Sequence, residues 1–162
     1  MNQDQGKNTA SQEKNDFYFM QKAILEAKKA YQREEVPVGC VIVLNNQIIA
    51  RGYNLKETKN NALMHAEIIA INKAVKKLGD WRLNECSMYV TVEPCLMCAG
   101  AIIQSRFKRL VFSLNEYKTG AFGSIIDITK LPSNHEIKVT KGVLESQTHS
   151  LMTKFFQNLR KK

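Results

Sequence analysis

Two short stretches of the sequence bring together side chains that bind metals and transfer protons. His65 and Glu67 stand two residues apart in "MHAEIIAI", and Cys95 and Cys98 stand three apart in "VEPCLMCAG". A histidine and two cysteines form a soft-to-borderline ligand set that suits Zn²⁺. Both stretches are predicted to open helices, where unpaired N–H groups favour the thiolate form that binds metal. We therefore predict a zinc site formed by His65, Cys95 and Cys98.

The number of ligands indicates what a zinc ion would do at this site. Structural zinc sites have four protein ligands, whereas catalytic sites have three and leave one position for water. Cys40 and Cys86 could in principle supply a fourth ligand. Each stands alone in or beside a predicted strand, however, where a small buried hydrophobic residue is the better interpretation. The sequence thus predicts a catalytic site with one zinc per chain.

Glu67 follows His65 too closely along the chain to be a natural fourth ligand. Zinc lowers the pKa of a bound water to about 7, and a carboxylate beside that water can take its proton and return it to a substrate. The alternative is a carboxylate that stabilises the helix N-terminus through the helix dipole. The joint occurrence of H-x-E and P-C-x-x-C favours the proton shuttle.

Hydrophobic periodicity predicts the elements that must position these groups. Helices are predicted for an amphipathic segment around Phe17 to Tyr31, from His65 to about Leu78, from about Cys95 to Gln104, and at the C-terminus. Strands are predicted at "CVIVL", "QIIARGY", "SMYVTV", "RLVFSL" and "EIKVTKGV". Strands that alternate with helices predict an α/β fold, a three-layer α/β/α sandwich with a mixed sheet of about five strands.

The length of 162 residues predicts a single domain, which we place at residues 16–162. Residues 1–15 are polar and are predicted to be a disordered N-terminal extension. The first residues have no apolar core and are not expected to act as a secretory signal, and no apolar run in the sequence is long enough to predict a membrane span. Four cysteines in such a chain indicate a reducing compartment, so we expect a cytoplasmic protein without a membrane partner.

The charge of the chain points to a class of partner. Its formal net charge is +9, from 24 Lys and Arg residues against 15 Asp and Glu residues. Such an excess favours polyanionic partners through counterion release. A solvated basic surface without a specific partner is the alternative explanation.

H-x-E followed by P-C-x-x-C is the signature of zinc deaminases. With "HAE" and "EPCLMCAGA", the chain resembles the cytidine-deaminase-like superfamily. The stretches "EVPVGCVIV", "RGYN", "KTGAFGS" and "FFQNLR" resemble the bacterial tRNA adenosine deaminases, and the likeness runs from about Phe17 to Arg160. The chain departs from that family before the histidine, where "NALM" replaces the usual D-P-T-A, and at Glu116, which replaces an Asp.

The resemblance implies a homodimer that binds the anticodon stem-loop of tRNA and hydrolyses the wobble adenosine to inosine. It implies zinc-activated water as the nucleophile and Glu67 as the proton shuttle. It also implies that Asn54 and the backbone N–H of Ala66 contact the target base. The residues that the resemblance places along the RNA are Glu116, Lys118, Asn134, Phe156 and Arg160. In the last helix, Phe155 fits the apolar stripe and is predicted to be core, whereas Phe156 lies about 100° around the helix and can reach its edge.

Two other functions are compatible with the metal motif. A deaminase of a free base or nucleotide, such as guanine or cytosine, would use the same centre, but a small substrate needs neither the basic charge nor the tail "FFQNLRKK". A zinc-stabilised RNA-binding module without catalysis would need neither Glu67 nor an open coordination position. We therefore favour the tRNA deaminase.

Overall fold

The computed structural model describes residues 3–162 of the chain. Within this range, no helix is long and apolar enough to cross a membrane. The predicted helices and strands are present, and most boundaries agree to within a residue or two, but the first helix begins well before Phe17 and the last strand is shorter than predicted. The elements in chain order are α1 (Gln3–Gln32), β1 (Gly39–Leu44), β2 (Gln47–Tyr53), α2 (Ala66–Leu78), β3 (Ser87–Val92), α3 (Leu96–Gln104), β4 (Arg109–Leu114), a 3-10 turn (Ile128–Lys130), β5 (Lys138–Thr140) and α4 (Glu145–Leu159).

The strands form one mixed sheet with the order β2-β1-β3-β4-β5, which confirms the predicted architecture. β1 is antiparallel to both β2 and β3, whereas β3, β4 and β5 run parallel to one another. β5 covers only three residues and is therefore shorter than the predicted strand "EIKVTKGV". Because β3 and β4 are parallel, their carboxyl ends meet at the same edge of the sheet.

Side chains that alternate along the strands build two cores, one on each face of the sheet. On β1, Val41 and Val43 belong to the core that includes α1, whereas Cys40 and Ile42 belong to the core that includes α2 and α3. α4 packs beside α1 and against β4. The helices thus cover both faces, and the predicted three-layer sandwich is confirmed. Cys40 and Cys86 are both buried in the α2/α3 core, as predicted for small hydrophobic residues.

Two glycines let the helices lie unusually close to the sheet. A methyl group at Gly39 of β1 would overlap backbone atoms of Ala23 and Ala27 in α1. A methyl group at Gly52 of β2 would overlap the backbone oxygen of Ala66 and lie 2.9 Å from the nitrogen of Ala70. Since Ala66 is the first residue of α2, Gly52 fixes the depth at which this helix begins.

β2 is an edge strand, and its outer backbone groups have no strand partner within the described sheet. Part of this edge is covered from α2, where the Lys73 ammonium donates a hydrogen bond of 2.9 Å to the backbone oxygen of Arg51. Arg51 also lies 3.6 Å from the carboxylate of Glu26 in α1. Charged side chains from both helix layers therefore cover this part of the edge.

The predicted disorder of residues 1–15 differs from the structure, in which α1 begins at Gln3. Residues 9–14 are exposed, so these turns are helical without burying apolar surface. About half of residues 3–15 are Gln, Glu, Lys or Ala, which are strong helix formers, and the polarity that suggested disorder does not oppose a solvated helix. Met1 and Asn2 lie outside the described residues, and the boundary of the domain at residue 16 stays a prediction.

Asp16 is the first residue of α1 that is tied firmly to the sheet. Its carboxylate accepts two hydrogen bonds from the Arg109 guanidinium, at 2.6 and 2.7 Å, and one of 2.9 Å from the Tyr89 hydroxyl. Arg109 also donates to the hydroxyl of Thr140, at 2.7 Å. These contacts join α1, β3, β4 and β5 at the amino end of the parallel strands, opposite the end that carries Cys95.

We expect Gly52→Ala to destabilise the fold, because the added methyl group meets backbone rather than a movable side chain. Overpacking of this kind costs about 1–3 kcal/mol, and a chain of this size loses about 2–4 °C in Tm for each kcal/mol. Thermal unfolding measures the effect. Gly100→Ala is the matched control, because a methyl group there meets no atom within 4 Å apart from its chain neighbours and the backbone of its own helix. Equal Tm values for the two variants would contradict the close packing of α2.

Candidate active site

The metal-binding motifs meet because two helices begin side by side at the carboxyl edge of the parallel strands. His65 is the residue immediately before α2, and Cys95 is the residue immediately before α3. Both have an extended backbone, and neither uses its side chain to cap its helix. Cys98 lies in the first turn of α3. All three side chains therefore project from helix N-termini, as the sequence predicted.

The ligand atoms of His65, Cys95 and Cys98 all lie within 4.8 Å of one another. Nδ1 of His65 is 3.7 Å from Sγ of Cys95 and 3.5 Å from Sγ of Cys98. Zn–S bonds of about 2.3 Å and Zn–N bonds of about 2.0–2.1 Å in a tetrahedron place N and S about 3.6 Å apart. The donor set thus fits zinc in both chemistry and spacing. No other His, Cys, Asp or Glu group within residues 3–162 forms such a cluster.

The two sulfurs hold their protons very differently. A hydrogen bond with Cys98 lowers the pKa of Cys95 to about 4, although burial opposes this change, and a hydrogen bond with His65 adds to the lowering. The same contact between the sulfurs, together with burial, raises the pKa of Cys98. Cys95 is therefore a thiolate at neutral pH, which is the form that binds metal. Binding of a divalent metal to both sulfurs releases the remaining proton.

Glu67 is the second residue of α2 and is only 4% exposed. Burial raises the pKa of its carboxyl to about 7, while a backbone hydrogen bond and the nearby His65 act in the opposite direction. A carboxyl with a pKa near the working pH can both accept and release a proton. A carboxylate that served only the helix dipole would be stabilised in its charged form, so its environment favours the shuttle over the alternative.

A pocket with a cavity volume of about 200 Å³ opens beside these residues. Its walls come from the connection between α1 and β1, the segment after β2, the start of α2, and the segments after β3 and β4. The lining residues are Val36, Val38, Asn54, Lys56, His65, Glu67, Val92, Glu93, Cys95, Glu116 and Thr119. Such a volume lies below the usual range for drug-sized ligands and suits a single flat base.

Asn54 lies on the pocket wall, and its side-chain amide has a fixed orientation. Nδ2 donates to the backbone oxygen of Val36 at 3.2 Å, and Oδ1 accepts a bond of 3.2 Å from the backbone nitrogen of Lys56. Asn54 is thus held at the pocket by both neighbouring segments rather than serving only as a turn residue. Ala66 is fully buried, and its backbone N–H belongs to the first turn of α2.

The predicted RNA contacts divide into two groups. Glu116 lines the pocket, and Lys118 is an exposed neighbour on the same loop. Phe156 and Arg160 are exposed at the end of α4, whereas Phe155 is buried as predicted for the apolar face. This helix end lies beside the end of α1, because Nδ2 of Asn158 donates a bond of 2.6 Å to the Tyr31 hydroxyl. The C-terminal tail therefore lies near the α1–β1 connection that lines the pocket.

Asn134 does not lie with the other predicted residues in this chain. Its side-chain and backbone oxygens accept hydrogen bonds of 2.7 and 3.1 Å from Arg106. Arg106 follows the carboxyl end of α3, whereas the metal ligands are at the amino end. A nine-residue helix is about 14 Å long, so one chain alone does not bring Asn134 to the pocket.

The unusual segment "NALM" forms a compact turn before His65. The backbone nitrogen of Leu63 donates a bond of 2.9 Å to Oδ1 of Asn61, and the nitrogen of Met64 donates one of 3.1 Å to the Asn61 backbone oxygen. Leu55 donates across the loop to the backbone oxygen of Met64 at 3.0 Å. The Asn61 amide oxygen thus supplies the acceptor that an Asp would supply at this position.

Sequence reasoning missed two buried carboxylates that shape the pocket. Glu35 is 1% exposed, and it accepts hydrogen bonds from the backbone nitrogens of Glu57, at 3.2 Å, and Thr58, at 2.5 Å. Glu93 is 2% exposed and binds the loop after β4. Their only sequence signal is position, since Glu35 precedes "VPVG" and Glu93 precedes "PC". Lys56, which also lines the pocket, was likewise missed.

The comparisons with known proteins agree with this site. Residues 13–114 match the family of the cytidine and deoxycytidylate deaminase zinc-binding region. The chain is 45% identical over 148 residues to a tRNA-specific adenosine deaminase of Bacillus subtilis, which covers 91% of this chain and 92% of that protein. It is 42% identical over 146 residues to a tRNA-specific adenosine deaminase of Streptococcus pyogenes, covering 90% of this chain and 85% of that protein.

A solved structure from studies of A-to-I editing by tRNA:A34 deaminases at the wobble position of transfer RNA is also similar. It superposes with a TM-score of 0.80 at 39% sequence identity, over 83% of this chain and 98% of the other. The fold, the metal-binding cluster and the relatives lead to one classification. The chain belongs to the zinc-binding cytidine and deoxycytidylate deaminase family, in the branch of the tRNA-specific adenosine deaminases.

Proposed function

We propose that this protein hydrolyses the wobble adenosine of a tRNA anticodon to inosine and ammonia. The observation that carries the proposal is the single pocket in which Asn54, Glu67, His65 and Cys95 all open toward the same space. The related enzymes named above act on tRNA adenosine, and this chain has the ligand set and the carboxylate that such a reaction needs. Incubation with an anticodon stem-loop, followed by measurement of inosine and ammonia, tests it directly.

His65, Cys95 and Cys98 would hold the zinc ion, which when bound supplies an activated water as nucleophile. Glu67 would take one proton from this water and give it to N1 of the ring, which makes C6 a better electrophile as its bond to the oxygen forms. Glu67 would then take the proton that remains on the added oxygen and give it to the exocyclic nitrogen, so that the C6–N6 bond breaks, the C6 carbonyl forms and ammonia leaves.

Asn54 and Ala66 would position the base for this attack. One N–H of the Asn54 amide donates to the backbone oxygen of Val36. Because the amide is planar, this bond also fixes the direction of the second N–H. That donor and the N–H of Ala66 would contact the edge of the purine. A base in an anticodon loop is single-stranded and can enter such a pocket at a low unstacking cost.

The RNA around the target base would lie across the tail and the loop after β4. Phe156 is 40% exposed and offers an aromatic face for a base, while Arg160 is free to approach a phosphate. Lys118 and Lys56 would add positive charge at the pocket itself. Glu116 contributes an acceptor on the same path. The net charge of +9 supports a polyanionic substrate over a free base.

We further propose a homodimer that acts in the cytoplasm, where tRNA is found. Asn134 lies at the opposite end of α3 from the pocket of its own chain. A second copy is the simplest way to bring such a residue to bound RNA. Exposed apolar side chains on α3 and on the segment before β5 offer a surface for this contact; they are Leu96, Ile125, Ile126 and Leu131.

Cys98→Ala should reduce the zinc content from about one ion per chain to nearly none, because two ligands rarely retain the metal. Elemental analysis of purified protein measures this. Cys86→Ala is the matched control, since Cys86 is equally buried but lies outside the ligand cluster. Stoichiometric zinc in the Cys98 variant would refute the ligand assignment.

Glu67→Gln should lower turnover by about 10²–10⁴, the usual contribution of general acid–base catalysis. The amide keeps the shape of the side chain but cannot shuttle the proton, so zinc content and stem-loop affinity should be retained. Glu85→Gln, at an exposed position away from the pocket, is the control and should keep parental activity. Near-parental turnover in the Glu67 variant would show that this carboxyl has only a structural role.

Replacing Arg160, Lys161 and Lys162 by Gln should weaken stem-loop binding and flatten its dependence on salt, by up to about one unit of slope per lost phosphate contact. Titrations at several salt concentrations measure both. A control with Lys14, Lys76 and Lys77 replaced by Gln loses the same charge at exposed sites on other elements. If the two triple variants bind alike, the tail acts only through net charge and is not part of the RNA site.

A further inference from the structure

Glu93 is a buried carboxylate for which the proposed chemistry has no use. It is 2% exposed and lies between the end of β3 and Pro94, two residues before the ligand Cys95. An ionised group in such a place needs compensating hydrogen bonds, because burial removes its hydration. Burial alone would raise the pKa of the Glu93 carboxyl, but hydrogen bonds from Ser124, Glu116 and Phe122 outweigh it and lower that pKa.

All of these partners lie on one loop, which follows β4 and spans residues 116–124; we call it the 116–124 wall. Oε2 of Glu93 accepts a bond of 3.0 Å from the backbone nitrogen of Glu116 and another from the hydroxyl of Ser124. Oε1 accepts bonds from the backbone nitrogens of Phe122, at 2.9 Å, and Ser124, at 3.1 Å. One carboxylate therefore accepts hydrogen bonds from both ends of the loop.

The 116–124 wall forms one side of the pocket through Glu116 and Thr119. Gly120 permits the close approach, since a methyl group there would lie 2.5 Å from Oε2 of Glu93. The wall is also tied to the metal-binding segment, because the nitrogen of Ala121 donates a bond of 2.9 Å to the backbone oxygen of Pro94. The residues around Glu93 thus connect a zinc ligand on one side with a substrate-facing surface on the other.

We propose that Glu93 is a positioning residue, which holds the 116–124 wall at a fixed distance from Cys95 and so sets the width of the substrate pocket. Glu93 lines the same pocket as Glu67, but the hydrogen bonds that its carboxylate accepts come from the 116–124 wall. It works through the backbone of Glu116 and its neighbours. The kinetic consequence rests on the proposed function, whereas the structural consequence does not.

A carboxylate is required here because both of its oxygens accept. In Glu93→Gln, the amide has one oxygen, so its NH₂ group must face either the Glu116 N–H and Ser124 hydroxyl or the Phe122 and Ser124 N–H groups. Donor then meets donor on one side of the side chain. The variant retains the size of the side chain while removing part of the anchor for the wall.

Glu35, which precedes the pocket-lining residue Val36, provides the matched comparison. It is as buried as Glu93 and also accepts backbone N–H groups, but those of Glu57 and Thr58 in the segment after β2. Glu35→Gln should therefore loosen residues 55–60 and leave the 116–124 wall unchanged. A general loss of stability would instead affect both segments in both variants.

The experiment is amide hydrogen exchange of parent, Glu93→Gln and Glu35→Gln, with zinc content measured on the same samples. We expect exchange in residues 116–124 to become at least about tenfold faster in Glu93→Gln only, with zinc retained at the parental level. On an anticodon stem-loop, kcat/KM of this variant should fall about tenfold or more, mainly through KM, because the wall contacts substrate in both the ground state and the transition state.

Unchanged exchange at residues 116–124, or equal acceleration throughout the chain, would overturn the positioning role. If Glu93→Gln does not fold, Ser124→Ala decides, since it removes only the hydroxyl donor; a smaller acceleration confined to the same segment is expected, and its absence refutes the proposal. A parent enzyme inactive on the stem-loop would refute the proposed function instead, while the exchange data would still decide the role of Glu93.

Discussion

The site depends on one constraint: two helices must begin next to each other at the same edge of the sheet. His65 and Cys95 are the residues before α2 and α3, so any shift of either helix start separates the ligand atoms. Gly52 lets α2 approach β2 until backbone meets backbone, and a cysteine, Cys98, follows within the first turn of α3. The packing of these two helices on the sheet therefore determines both the layers of the sandwich and the geometry of the metal ligands.

The sequence predicted the parts of this arrangement that depend on local spacing. His65, Glu67, Cys95 and Cys98 were identified because a helix start and a short motif define their relative positions. The layers followed from alternating strands and helices. Glu93 could not be found in this way, since its partners are 23 to 31 residues further along the chain. An isolated glutamate is normally exposed, and only the folded loop shows why this one is buried.

The same distinction explains the predictions that the structure changed. The polar residues before Asp16 were predicted to be disordered because they cannot form a core, but a helix needs only its own backbone hydrogen bonds and residues that tolerate them. Asn134 was placed along the RNA by resemblance, which stays a prediction; its distance from the pocket of its own chain depends on the length of α3, which no local motif gives. Phe155 and Phe156 were separated correctly because helical periodicity alone decides which of two neighbours faces inward.

The edge strand β2 has a consequence for how this molecule can assemble. An open edge normally invites a strand from another molecule, which produces extended sheets and, in the worst case, fibrils. Here the Lys73 ammonium already donates a hydrogen bond to the Arg51 backbone oxygen. The charged Arg51 side chain would also lose hydration if another strand paired at this edge. At the other end of the sheet, β5 offers only three residues. A second copy of this chain would therefore bind more easily through helices and loops than through strand pairing, and such binding would leave the sheet and the pocket at its edge undisturbed.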